Sequence, residues 1–193
     1  MINKARDSYH DTGMTDILWG RVIPFCSLER WAEMQFHYEL PFDIYILTLA
    51  AIIPQVWNTA REKKGRRVKS YDDAFMSAVW RSFGICIGLL IIIINVYFRR
   101  TGDSAAAFAE YIAPLFLLLY GIPTFITGSV CRVPVMFWGG ILCWVCSIIT
   151  LFTEIKIDHL LIALSAAMAW LVPGILMERD YRRAKKGSGA AHV

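Results

Sequence analysis

The chain has 193 residues, of which 56% are hydrophobic and only 19% charged, with a net charge of +4. An ordinary soluble domain carries about a quarter charged residues, so this composition excludes a typical water-soluble fold. The small basic excess lies beside apolar stretches with no base-stacking motif, which points to anionic lipid as a partner and away from nucleic acid.

The first residues, MINKARDSYHDTGMTD, are polar and lack the apolar centre and small-residue cleavage site of a secretory signal, so no processing is expected. Residues 15–31, TDILWGRVIPFCSLERW, form the first apolar segment, and a weak one. Arg21 and the Glu29–Arg30 pair bracket a seven-residue apolar centre that also holds Pro24. At 1.5 Å per residue that centre covers roughly a third of a bilayer.

Five stronger segments follow. Phe42–Trp57 is short and carries Asp43 at its edge; it ends in a basic stretch with Arg61, Lys63, Lys64, Arg66, Arg67 and Lys69. Ala74–Phe98, Glu110–Thr127, Val133–Phe152 and His159–Met177 come next, and then a basic tail with Arg179, Arg182 and Arg183. A helix needs about 20 mainly apolar residues to cross a ~30 Å hydrocarbon core, so these read as membrane-crossing helices. The expectation is an all-α, polytopic transmembrane bundle forming one integral membrane domain over residues 1–193. It has six spans, or five if 15–31 lies at the interface, with a polar segment 1–14, a basic loop 58–73 and a tail 178–193.

Lysine and arginine accumulate in cytoplasmic loops. Six spans with both termini inside place fourteen basic residues on the cytoplasmic side and only Arg99, Arg100 and Lys156 outside. Leaving 15–31 on the far surface would raise the outside total to seven. Arg21, Arg30 and Arg81 fall within spans but close to their ends, where a long stem lets a guanidinium reach the headgroups.

The second, fourth and sixth spans all run inward, and each holds a branched residue followed by proline: Ile53-Pro54, Ile122-Pro123 and Val172-Pro173. Proline has no amide hydrogen, so kinks are expected there, with freed carbonyls at Ala50, Leu119 and Ala169. One reading is a cavity ringed by three kinked helices, as in transporters built on broken helices. The plainer reading is that prolines are common in membrane helices.

Other constellations carry less. CWVC at 143–146 resembles a redox pair but lies mid-span without polar neighbours, so Cys143 and Cys146 read as small packing residues. Cys26, Cys86 and Cys131 also lie in or beside apolar runs and are expected as free thiols. His37, Glu39, Asp158 and His159 could converge with Glu33, Asp43 and Glu154, but their spacing matches no ligand motif, and no metal is expected. Gly84, Gly88, Gly121, Gly128, Gly139, Gly140 and Gly174 offer small surfaces for close helix approach. FGICIG, with glycines at 84 and 88, is expected to pack inside the bundle. No catalytic triad, paired intramembrane carboxylates or phosphate-binding loop appears in the sequence, so neither catalysis nor a cofactor is expected.

The order of LWG at 18–20, REKKGRRVKSYDDAFMSAVW at 61–80, LLLYGIPTFITG at 117–128, GGILCW at 139–144 and LVPGILM at 171–177 resembles a group of small, uncharacterised bacterial integral membrane proteins. That resemblance covers most of the chain from residue 15 and implies six spans with no assigned activity. Arg21 departs from the pattern, where an aromatic or apolar residue is expected. IIPQ at 52–55 also resembles the turn of PQ-loop sugar transporters, but the nearest second copy, GIPT at 121–124, lacks the glutamine.

Two functions remain open. The first is a non-catalytic binding or regulatory component of a bacterial inner membrane, with the basic loop and tail contacting anionic headgroups or a cytoplasmic protein. The second is a small-solute transporter or channel whose cavity is lined by Pro54, Pro123 and Pro173.

Overall fold

The computed structural model describes residues 14–38, 40–65, 71–101, 106–179 and 182, and among them there are helices and no strand. We number the main helices α1 Met14–Phe36, α2 Ile46–Gly65, α3 Tyr71–Thr101, α4 Ile112–Val130, α5 Pro134–Ile149 and α6 Ile155–Arg179. A single helical turn, Ala106–Ala109, precedes α4.

Three helices are long and apolar enough to cross a membrane: Phe75–Thr101 within α3, α4, and α6. With 27, 19 and 25 residues, they are roughly 40, 28 and 37 Å long. Ile46–Ala60 and α5 are apolar but shorter. Helix α1 has 23 residues, but Asp16, Arg21, Glu29, Arg30 and Glu33 dilute it. Several ends differ from the hydropathic expectation. Residues 58–65, expected as loop, continue α2, and α6 starts four residues before His159.

Local chemistry sets some of these ends. Pro134 opens α5, where its missing amide hydrogen costs nothing. Arg132 adopts φ 54° between α4 and α5, and Val133 N–H donates to Gly128 O at 3.0 Å. This is a left-handed helix stop, here without the usual glycine. His37, with φ 55°, stops α1 in the same way.

The most extensive pairings are α4 with α5 and α1 with α6, both antiparallel. Glycine permits both. A Cβ on Gly20 would strike the backbone of Leu171, and one on Gly174 would lie 2.9 Å from Ile17. Gly128 faces the Phe137 backbone, Gly140 meets Phe125, and Gly139 sits against Ala169. Leu117, Tyr120, Cys143, Cys146, Ile162, Ala166, Ala169 and Trp170 fill the core, with Ile23 contributed by α1. Cys143 and Cys146 are therefore packing residues, as expected.

Gly84 and Gly88 correct the expectation of inward packing, because a Cβ added at either meets nothing within 4 Å. Helix α3 turns a bulky seam to α4 instead. Trp80, Phe83 and Ile87 pack on the core, Met76 is buried, and the glycines lie on the exposed side. The rings of Phe83 contact Tyr120 and Trp170 edge-on, with centroids 6.1 and 6.3 Å apart, an arrangement small residues could not make.

Pro54 and Pro123 sit within unbroken helices. Upstream of Pro173, α6 adopts a π turn over Ala167–Leu171, closed by Val172 N–H donating to Ala167 O. One extra residue in the turn shifts the hydrogen-bond register just where proline removes a donor.

The glycine contacts define a test. Gly20→Ala and Gly128→Ala force backbone apart at the two main seams and should each lower stability by about 1–3 kcal/mol. Gly84→Ala should be neutral or slightly stabilising. Thermal unfolding of the detergent-solubilised protein, followed by circular dichroism, separates the two classes.

Candidate functional site

Antiparallel packing sorts the chemistry to two ends. Ile17 of α1 meets Gly174 of α6, Met76 of α3 meets Thr127 of α4, and Gly128 meets Phe137. The start of α1, the start of α3, the α4–α5 link and the end of α6 therefore share one end of the bundle. There Arg21, Arg81, Arg132 and Arg179 are exposed. Arg81 Nε donates to the Ser77 carbonyl at 3.1 Å, and Arg182 pairs with Glu178 at 2.7 Å. Arg61, Lys63 and Lys64 lie on the last turns of α2. Arg66, Arg67, Lys69 and Arg183 lie outside the described residues.

The three prolines separate. Pro123 and Pro173 are both fully buried, at under 2% exposure. Their neighbours join α4 to α6: Trp170 Nε1–H donates to Thr124 Oγ1 at 3.0 Å, and the Thr124 hydroxyl donates to Tyr120 O at 2.8 Å. The Tyr120 and Trp170 rings lie in tilted contact, with centroids 4.8 Å apart. Pro54 is half-buried on α2, which packs on α1 and, among the described residues, makes no close backbone contact with α4. The structure thus buries Pro123 and Pro173 on helices joined by a packed Thr–Trp–Tyr group and leaves Pro54 on α2, half-buried.

The opposite end holds a polar cluster built from α1, the segment before α2, and the start of α6. Arg30 Nη1 lies 2.7 Å from Glu33 Oε2, and the other Glu33 oxygen accepts from Leu40 N–H at 3.3 Å. Tyr38 donates to Glu29 at 2.7 Å, and that carboxylate raises the phenol above its ordinary range. Tyr45 Oη and His159 Nδ1 are 3.5 Å apart, at the outer limit of a hydrogen bond. The Tyr45 phenol lies beside Ser27, yet the fully buried Ser27 Oγ finds no partner of acceptable geometry among the described residues. Ser165 Oγ is in the same condition on α6. Cys26 Sγ–H, also buried, points to Ile44 O at 3.5 Å.

Among the described residues no three histidine, cysteine or carboxylate groups stand close enough to hold a metal ion. His37 is exposed at the stop of α1, Glu39 lies outside the described residues, and Asp158 accepts from Thr153 at 2.6 Å. Ser27 and Tyr45 were not apparent as members of a group. No spacing signals a proximity made across 18 positions by helix packing.

No protein-family model, curated protein or solved structure matches this chain.

The Thr124 bridge is testable. Thr124→Val leaves the Trp170 indole N–H buried without an acceptor and should destabilise by about 1–3 kcal/mol. Adding Trp170→Phe removes the stranded donor, so the double variant should lose less than the sum of the singles in a double-mutant cycle of thermal unfolding.

Proposed function

We propose that the chain is an integral membrane protein of a bacterial inner membrane. It crosses six times with both termini in the cytoplasm and serves as a non-catalytic binding or regulatory component whose cationic inner end engages anionic headgroups. The observation that carries this reading is α3. Its apolar stretch has none of its hydropathic window buried in the bundle, and Ile85, Leu89, Ile92 and Ile93 are exposed. Such a surface is stable in hydrocarbon and a liability in water.

The placement of charge supports the orientation. Exposed arginines and the basic turns of α2 gather at one end of the bundle, the end that the positive-inside rule assigns to the cytoplasm. Near anionic lipid each such residue contributes about 1 kcal/mol, falling off within a Debye length. Helix α1 is the weakest span. Its Arg30 is neutralised by Glu33, its Arg21 is exposed near the inner end, and it lies along α6. The motif resemblance to six-span bacterial membrane proteins agrees with this reading.

A second reading, a small-solute transporter or channel, draws on the π turn and on the burial of Pro123 and Pro173. It needs Pro54 to line the same space, whereas α2 holds Pro54 beside α1. Solute flux into proteoliposomes would establish it.

The leading reading is tested with protein held in zwitterionic nanodiscs and offered phosphatidylglycerol vesicles. Replacing Arg61, Lys63, Lys64, Arg66, Arg67 and Lys69 by glutamine should weaken vesicle binding at least roughly tenfold, and salt near about 0.5 M should weaken the wild type similarly. Unchanged binding removes the lipid role. Separately, a carboxyl-terminal tag should resist external protease in intact cells and be cut after permeabilisation; cleavage in intact cells overturns the orientation.

A further inference from the structure

Asn95 lies on the exposed side of α3, among Ile91, Ile92 and Val96. It stands four residues before Arg99, and so roughly 6 Å inside the level of the outer arginines. One of its amide N–H groups donates to Ile91 O at 2.8 Å, one turn farther in, so the carboxamide points into hydrocarbon and away from the outer headgroups. The second N–H and the carbonyl oxygen have no partner among the described residues. With no water at that depth, a free donor and a free acceptor are an unmet cost, and a neighbour that supplies both removes it.

We propose that α3 is a self-association face: two copies of this protein pair side by side along α3, and each Asn95 donates its free N–H to the Asn95 carbonyl oxygen of the other copy. The proposal rests on the reading of α3 as a membrane span, and not on which end faces the cytoplasm. Copies that enter the membrane in one orientation pair about a two-fold axis along the membrane normal, so equal residues meet at equal depth. A carboxamide facing its own copy is complementary in both directions, donor to acceptor and acceptor to donor. Acyl chains offer neither group. This match of depth and polarity selects a second copy as the occupant.

The surface beside the amide admits such a neighbour. Ile91, Gly88 and Gly84 precede Asn95 at intervals of four, three and four residues, which puts the four on one face with the 3.5-residue repeat of a left-handed helix pair. A Cβ at Gly84 or Gly88 would meet nothing within 4 Å, so neither glycine is used within one copy, and both leave room for a backbone to come close. The seam by which α3 packs on the bundle, made by Met76, Trp80, Phe83 and Ile87, uses a different face and stays intact. Arg81, exposed one turn before Gly84, lies toward the inner end, where its stem carries the charge to the headgroups.

The test is energy transfer between full chains carrying donor or acceptor dyes on a carboxyl-terminal tag, reconstituted together in phosphatidylcholine liposomes over a range of protein densities. The wild type should show transfer well above that of random proximity, and unlabelled wild type should compete it away. Asn95→Leu should need roughly three- to thirtyfold higher density for the same transfer, the loss expected for interhelical amide hydrogen bonds. Gly88→Ile, which fills the close approach, should stop pairing and leave thermal unfolding of the single copy unchanged. Ile93→Ala, exposed but roughly 160° around α3 from Asn95, should pair as the wild type does. A wild type that stays monomeric leaves the amide to lipid or to a different protein and overturns the proposal. So does Asn95→Leu or Gly88→Ile pairing at wild-type density, or Ile93→Ala losing as much as Asn95→Leu. Should Gly88→Ile fail to fold, Asn95→Leu decides. Alkaline carbonate extraction of cell membranes separates the two readings: release of the protein overturns the membrane span and the pairing with it, whereas a retained protein that is monomeric in liposomes overturns the pairing alone.

Discussion

The close approach of α1 to α6 is the contact on which the remaining architecture depends. Helix α1 is the most charged of the six main helices over its apolar stretch and would be a poor guest in hydrocarbon alone. Gly20 and Gly174 let its backbone lie almost directly against Leu171 and let Ile17 fit over α6. Without a water-driven hydrophobic effect inside a bilayer, such intimate van der Waals contact is what joins helices. Helix α2 rests on α1, and the Arg30–Glu33 pair is presented beside the start of α6. Opening that seam would therefore undo three elements together.

Much of the helical architecture is legible in the amino-acid order. Hydropathy locates the apolar segments, and the exposed arginines Arg21, Arg81, Arg132, Arg179 and Arg182 fall at one end of the bundle. The burial of Cys143 and Cys146 follows from their apolar setting. What hydropathy does not contain is choice of partner. It measures a preference for oil, and lipid and a neighbouring helix satisfy that preference equally. Gly84 and Gly88 show the difficulty. Their spacing matches that of true contact glycines, but Trp80 and Phe83 capture the facing helix and the glycines are left outside. Helix ends also outrun hydropathy, as in the polar continuation of α2 to Gly65, because backbone hydrogen bonding does not stop where apolarity does.

The candidate site was legible in pieces. His159, Asp158 and Glu33 stand out in the sequence as ionisable groups near helix ends, which invites a metal. The structure distributes them instead: Glu33 to Arg30, Asp158 to Thr153, His159 to Tyr45. Tyr45 and Ser27 carry no sequence signal of their own, since a tyrosine near an interface and a serine in a membrane helix are both unexceptional. Their significance arises from proximity, which helix packing supplies. The same holds at the opposite end, where Trp170 and Thr124 form a bridge across 46 positions.

The seam between α1 and α6 joins the first main helix to the last. Synthesis delivers α1 before its principal mate, with α2 to α5 made in between. Helix α1 therefore stands without its principal partner until α6 has been made. A chain cut short before residue 155 would lack α6 and leave α1 without the helix it packs on most.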